Sequence, residues 1–132
     1  MAIGTRREAR ERALSLLYEA DAKSETPRQV LAGLAVEPDP FVGDVVRGVE
    51  QRQAEIDELI SGAAIDWALD RMPVIDRTLL RMATFELVAR DDIPTGVIIS
   101  EAVELAKLYS TEESGRFVNG VLAAIAAKIR AS

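Results

Sequence analysis

Apolar residues recur three and four positions apart through nearly the whole chain of 132 residues, and no apolar and polar alternation lasts long enough to make a strand. That periodicity permits little besides packed helices, because only a helix gathers positions i, i+3, i+4 and i+7 on one face. The first helix is expected from Thr5, with Ala9, Ala13, Leu16, Leu17 and Ala20 on one stripe. Thr26-Pro27 reads as an N-cap followed by proline at the first helical position, opening a short helix that stops near Gly33. Glu37-Pro38-Asp39-Pro40 reads as a loop, and its Asp39 and Pro40 repeat the start signal. They open a long third helix through Phe41, Val42, Val45, Val46, Val49, Ile56, Leu59 and Ile60, ending around Gly62.

Beyond a short segment at Trp67 and Leu69, Met72-Pro73 opens a helix to about Arg90 that is apolar around most of its circumference, so it belongs at the centre of the fold. Glu86 falls inside its apolar arc with Leu79 and Met82. A carboxylate there has to be hydrogen-bonded, by a neighbouring helix N-terminus or an arginine. Asp91-Asp92-Ile93-Pro94 breaks the chain before a helix to about Tyr109. The last helix begins at Ser110 or Thr111, where Ser110 and Glu113 have capping-box spacing, and it carries Phe117, Val118, Val121, Leu122, Ile125 and Ile129. Asn119-Gly120 has the composition of a hairpin turn, yet the apolar period runs through it, so helix is the expectation. Both residues read as structural, allowing close helix approach and satisfying a buried polar group. The stretch from Gly62 to Trp67 divides the chain into an N-terminal helical subdomain, about 1–62, and a C-terminal one, about 63–132.

The composition removes whole classes of chemistry. With no histidine and no cysteine, imidazole and thiolate zinc sites, Ser-His or Cys-His nucleophiles and histidine acid-base catalysis are out of reach. No glycine-rich phosphate cradle occurs, and 22 acidic residues on helical faces read as solvating charge, so neither an enzyme nor a cofactor or metal site is expected. The longest candidate for a membrane span, Val118 to Ala127, is too short to cross a bilayer. An arginine-rich start without an apolar stretch, and the lack of cysteine, make the cytoplasm the expected compartment.

Against a net charge of −6, the first twelve residues carry Arg6, Arg7, Arg10 and Arg12 against Glu8 and Glu11, a local +2 that leaves −8 for the rest. Arg6 and Arg10 prolong the longitude of Ala13, Leu17 and Ala20, so charge continues the apolar stripe. Unpaired guanidiniums are not expected in a core, which leaves them overhanging the body or meeting a negatively charged partner. A basic tip on an acidic body has the pattern of a confined nucleic-acid contact. The alternative is a solvated helix surface in which Glu8 pairs with Arg12 at i,i+4. Tyr18, two turns on, suits a core position as well as a stacking one.

Two segments resemble a known family: TRREARERALSLLYEAD at the start, and the run from Met72 to Ile125 with Asp-Arg-x-x-Leu-Arg, Arg-Asp-Asp-Ile-Pro, Glu-Ala-Val-Glu-Leu-Ala-Lys and Phe-Val-Asn-Gly-Val-Leu in that order. Together they resemble the NusB family of bacterial transcription antitermination factors, over the whole chain with a looser middle at residues 24 to 70. The resemblance implies an all-α fold of two small helical bundles packed into one compact domain, without catalysis. It implies binding of boxA RNA with NusE, also a small-subunit ribosomal protein, so that RNA polymerase reads through terminators in ribosomal RNA operons. By it, Arg6, Arg7 and Arg10 match the arginine-rich RNA-binding motif and Tyr18 its aromatic, while Glu113, Arg116 and Phe117 mark a second RNA edge. Asp76, Arg77 and Arg81 fall in the NusE-facing region, where the alternative is a salt-bridged solvent face. Phe117 is either a core residue or a base-stacking one. The chain departs from the family at Glu8, where some relatives are basic, at Glu113, usually Asp, and at Gly115, usually bulkier. An RNA-binding domain like those ahead of ribosomal RNA cytosine methyltransferases, or a helical interaction module without RNA, are the competing readings. Monomer and homodimer stay open.

Overall fold

Thr5 and Glu8 open the first helix by satisfying each other's backbone: the Thr5 hydroxyl accepts the Glu8 N–H at 3.0 Å and the Glu8 carboxylate accepts the Thr5 N–H at 2.8 Å. The computed structural model describes residues 5–130. Helix α1 (Arg6–Lys23) ends at Ser24, whose left-handed φ of 55° turns the chain. Thr26 and Gln29 repeat the reciprocal cap for α2 (Pro27–Ala32), and Asp39 accepts the Phe41 N–H at 2.8 Å to start α3 (Pro40–Gln51).

The long third helix expected up to Gly62 is two helices. The chain breaks at Arg52, with φ −109° and ψ 20°, before α4 (Gln53–Ala63). Between Val49 and Ile56 the sequence reads Glu50-Gln51-Arg52-Gln53-Ala54-Glu55, none of it buried, so no packed side chain holds the backbone ladder straight across that turn. After the break Ile56 and Ile60 are fully buried in the common core.

A short 3₁₀ turn (Leu69–Arg71) leads to α5 (Val74–Ala89), where Pro73 stands before the helix rather than at its first position. As its sequence demands, α5 is the central element, packing on α1 and α3 on one side and on α4, α6 (Thr95–Tyr109) and α7 (Glu112–Ile129) on the other. The fold is all-helical: two small bundles that share α5. The Phe85 ring of α5 packs directly on the α3 backbone at Gly48, where an added Cβ would lie 2.0 Å from it.

At the start of α7 the cap is Thr111, whose hydroxyl accepts the Ser114 N–H at 2.9 Å, not the expected Ser110 and Glu113 pair. Position 114 is serine, so the cap has no reciprocal carboxylate; the Ser110 and Ser114 hydroxyls lie 2.9 Å apart and Glu113 is exposed. Asn119 and Gly120 continue the helix as expected but are exposed, with nothing within 4 Å of a Cβ built on Gly120, so they mediate no close approach. Arg130 closes the C-terminal bundle by donating to the Glu86, Leu87, Arg90 and Ile93 carbonyls at 2.7–3.2 Å and to the Thr95 hydroxyl at 3.2 Å. It adds a side-chain donor to carbonyls at the end of α5, beside the backbone cap in which the Arg90 N–H donates to the Glu86 carbonyl at 2.9 Å. Among the described residues no helix is long and apolar enough to cross a membrane.

Candidate nucleic-acid interface

Phe41, in the first turn of α3, presents its ring to three guanidiniums: Arg6 at 4.3 Å from the centroid, Arg10 at 5.3 Å and Arg90 at 5.3 Å. Two of the three are neutralised. Arg90 is held by Asp92 at 3.0 Å and Asp44 at 3.1 Å, and this pairing holds the Asp92 carboxyl below the usual carboxylate range. Arg10 donates twice to Glu86, at 3.0 and 2.6 Å. Arg6 is exposed and has no carboxylate within ion-pair distance among the described residues. The guanidinium of the cluster that makes no ion pair among the described residues is therefore the one nearest solvent.

Arg10 corrects the sequence reading: its guanidinium neither overhangs the body nor waits for an external anion, because it is 3% exposed and bonded to Glu86. The arginine expected for Glu86 and the partner expected for Arg10 are each other, joined across 76 residues. Arg7 is half-buried and gives its Nε and Nη2 to Glu101 at 2.5 and 2.9 Å, leaving Nη1 without a partner among the described residues. This forked contact outweighs partial burial and depresses the Glu101 carboxyl below its ordinary value. The competing Glu8–Arg12 pair is absent, since Glu8 is turned back into the α1 cap and Arg12 stands exposed.

Down α1 from Arg7, positions 11 and 18 share its face at helical spacing. Glu11 accepts the Tyr109 hydroxyl at 2.7 Å, which pushes the phenol up, and Tyr18 is 46% exposed, so its ring is open to a ligand rather than in the core. Tyr18 lies about 16 Å along the helix from Arg7. Near the start of α7, Glu113 and Arg116 are exposed and 3.6 Å apart. Phe117 divides between its two readings. It is partly buried against the core, and its ring meets Trp67 edge to face, with centroids 6.2 Å apart and planes at 68°.

The three residues expected at a protein partner do not form one exposed patch. Arg81 is forked onto Asp57 at 2.8 and 3.0 Å, and Arg77 donates to the Leu69 carbonyl at 3.1 Å and approaches Asp21 at 3.8 Å. Asp76 is 3% exposed. Charge-paired side chains therefore describe Arg77 and Arg81, and Asp76 is no surface residue at all, since it sits on the inward side of the first turn of α5. Phe41 and Trp67 are the members of the two sites that sequence reasoning did not single out. Phe41 reads as one more core residue of α3, and Trp67 sits in a segment without periodicity.

The NusB family model matches residues 7–127. The transcription antitermination protein NusB of Kineococcus radiotolerans is 48% identical over 128 residues, 94% of each chain, and that of Salinispora tropica is 48% identical over 92% of this chain and 94% of its own. A structure of T. maritima NusB superposes with a TM-score of 0.85 at 38% identity, covering 96% of this chain and 94% of its own. A crystal structure of the antitermination factors NusB and NusE in complex with double-stranded RNA gives 0.77 at 29% identity, over 91% and 94%. By fold, by the order of its motifs and by identity along nearly its full length, this chain belongs to the NusB family.

Proposed function

We propose that the protein is an RNA-binding transcription antitermination factor acting with NusE on boxA-type single-stranded RNA, in support of ribosomal RNA operon transcription in the cytoplasm, and that it is a binding protein rather than an enzyme. The observation that carries this reading is the arginine tip: Arg6, exposed on the Phe41 ring and in no ion pair among the described residues, stands next to Arg7 and Arg12 on an otherwise acidic body. Planar guanidiniums held by an aromatic ring and an ion pair are pre-positioned for phosphate oxygens. The RNA path proposed runs from Arg6 and Arg7 past Tyr18 to Arg116 and Phe117, with Glu113 at its rim. Arg10 anchors α1 beneath the path instead of touching RNA.

Fluorescence anisotropy with a boxA-like RNA, with and without NusE, tests this. Arg6→Ala and Arg7→Ala together are expected to weaken binding and to shallow the log-log salt slope by about 0.7 for each phosphate that is no longer neutralised. An unchanged slope refutes the assignment. The NusE-facing surface is proposed around Arg77 and Arg81, where Arg81 and Asp57 make an accessible ion pair between α5 and α4. Exchanging them, Arg81→Asp with Asp57→Arg, keeps the pair and is expected to lower NusE binding while RNA binding by the isolated protein holds. Unchanged NusE binding removes that patch.

A further inference from the structure

Arg6 and Arg90 meet at the Phe41 ring, their guanidinium carbons 4.3 and 5.3 Å from its centroid and so within about 10 Å of each other. Beside them stand two carboxylates, Asp44 on α3 and Asp92 in the turn after α5, each half exposed or more, against the single charge of Arg90. The excess negative charge is a competitor for Arg6. The Asp92 carboxyl is held low first by its hydrogen bonds from Arg90, and the Arg6 charge adds to this, so Arg6 already lies within electrostatic reach of Asp92. Arg6 nevertheless pairs with neither carboxylate. Arg90 occupies them, its Nε and Nη2 donating to both Asp92 oxygens at 3.0 Å and its Nη1 to Asp44 Oδ2 at 3.1 Å. The whole fork is engaged on oxygens that an exposed arginine would otherwise take. The chain fixes Arg90 in this place: its carbonyl accepts from Arg130 at 2.7 Å and from the Ile93 N–H at 3.1 Å, and its own N–H donates to the Glu86 carbonyl at 2.9 Å. Asp44 follows Phe41 by three positions, on the same face of α3.

We infer that Arg90 is a positioning residue for RNA capture, holding Asp44 and Asp92 away from Arg6 so that the Arg6 guanidinium, seated on Phe41, stays free for a phosphate; the inference rests on the RNA-binding function proposed above. A carboxylate and a phosphate offer an arginine charge-assisted bonds of the same kind. A carboxylate on the same chain has the advantage of proximity, being presented at an effective concentration on the order of millimolar or more. A released Asp92 therefore masks Arg6 from RNA, as Glu86 already takes Arg10. Arg90 touches no RNA in this reading, because its fork is engaged and its side chain is 22% exposed. Its removal weakens RNA binding through the loss of Arg6 rather than through the loss of its own charge.

The test combines anisotropy of a labelled boxA-like RNA, titrated with the full chain at several salt concentrations, with an NMR titration of the Asp92 carboxyl. Arg90→Met keeps an unbranched side chain beside Phe41 and both backbone bonds while releasing the two carboxylates. It is expected to weaken RNA binding about 10-fold and to shallow the log-log salt slope by about 0.7, the loss of one phosphate contact. Adding Arg6→Ala to Arg90→Met is expected to change neither quantity further, since Arg6 is already engaged. Adding Asp44→Asn and Asp92→Asn instead is expected to restore the wild-type slope, and Arg6→Ala in that triple background to flatten it again. In the absence of RNA, the Asp92 carboxyl is expected to stay below its ordinary value of about 3.9 in Arg90→Met, where Arg6 takes over, and to return to it once Arg6→Ala is added. Arg90→Lys keeps the charge without the fork; it is expected to fall between wild type and Arg90→Met, and replaces the latter if that variant unfolds. A loss that Asp44→Asn and Asp92→Asn do not recover, or that adds in full to the effect of Arg6→Ala, makes Arg90 a direct phosphate ligand and overturns the inference. A fall in melting temperature with an unchanged slope, or an Asp92 carboxyl that returns to its ordinary value in Arg90→Met alone, overturns it as well and leaves the RNA reading standing. If Arg6→Ala leaves the wild-type slope unchanged, the RNA reading of the tip fails first and this one with it.

Discussion

Replacing Arg10 by alanine is expected to cost about 3–5 kcal/mol of folding stability, although the substitution looks in sequence like the removal of one surface arginine among four. The side chains of Arg10 and Glu86 are 4% and 2% exposed. Two opposite charges about 4 Å apart at an effective dielectric constant near 20 attract by roughly 4 kcal/mol. Removing Arg10 forfeits that attraction, both hydrogen bonds and the packing of its stem under Phe41, and strands the Glu86 carboxylate in the core. For a domain of this size a drop of 1 kcal/mol lowers Tm by about 4 °C, so the melting temperature is expected to fall by roughly 12–20 °C. Urea unfolding followed by far-UV circular dichroism gives the free energy directly. The companion variant Arg10→Met with Glu86→Leu removes both charges and fills the space, and is expected to recover most of the stability or to exceed wild type. Because Arg10 does not face the RNA in this reading, that double variant keeps the salt slope of binding, unlike Arg6→Ala. The reasoning is refuted if Arg10→Ala melts within about 3 °C of wild type, or if the apolar pair is no more stable than the single alanine variant.

Gly48→Ala sets a gain of about 1 kcal/mol in helix propensity against a Cβ placed 2.0 Å from Phe85; overpacking of about 1–3 kcal/mol wins, and adding Phe85→Leu is expected to reverse the sign in the same urea titration. Arg130→Ala removes the donor shared by four carbonyls and a hydroxyl around the end of α5, of which the Glu86 and Arg90 carbonyls keep a backbone N–H, and is expected to cost about 2–3 kcal/mol, with Arg130→Lys restoring less than half, because an ammonium cannot span acceptors arranged for a fork; thermal melts of the three proteins decide it. Glu101 has a depressed folded value, so its contribution is fully present above the ordinary carboxylate value of about 4.3 and is lost as pH falls through the lower folded one. Glu101→Gln is therefore expected to lower Tm at pH 6 and to converge with wild type near pH 2; parallel curves at all pH values contradict the assignment.

The helix starts were legible because the signals are local: Thr5, Thr26 and Asp39 act within three residues of themselves. Glu86 was legible in part, since its position in an apolar arc requires a partner whose identity the arc does not reveal. The burial of Arg10 was not, because a charge on an apolar longitude reads as overhang until the carboxylate 76 residues away is known to face it. The break at Arg52 was missed for a different reason. Val49 and Ile56 are seven residues apart, two helical turns, so the period survives while the packing between them lapses. Asp76 lay hidden behind a surface reading, although Pro73 three positions earlier removes the donor such an aspartate ordinarily uses, and that signal is entirely in the sequence. Trp67 had none, since one aromatic in an irregular segment has no phase.

The Arg130 clamp ties the corner after α5 to a side chain forty positions downstream of Arg90, the residue that follows the helix. During synthesis at about 5–20 residues per second, that corner waits roughly 2–8 s for the guanidinium that joins its carbonyls. Nascent chains halted before residue 130 are thus expected to carry a protease-sensitive α5–α6 corner, and chains in which a C-terminal extension holds residue 130 clear of the ribosome a protected one. In the cell, the element on which both bundles pack is the one whose closure is timed by the ribosome, so a pause in translating α7 prolongs the exposure of the whole core.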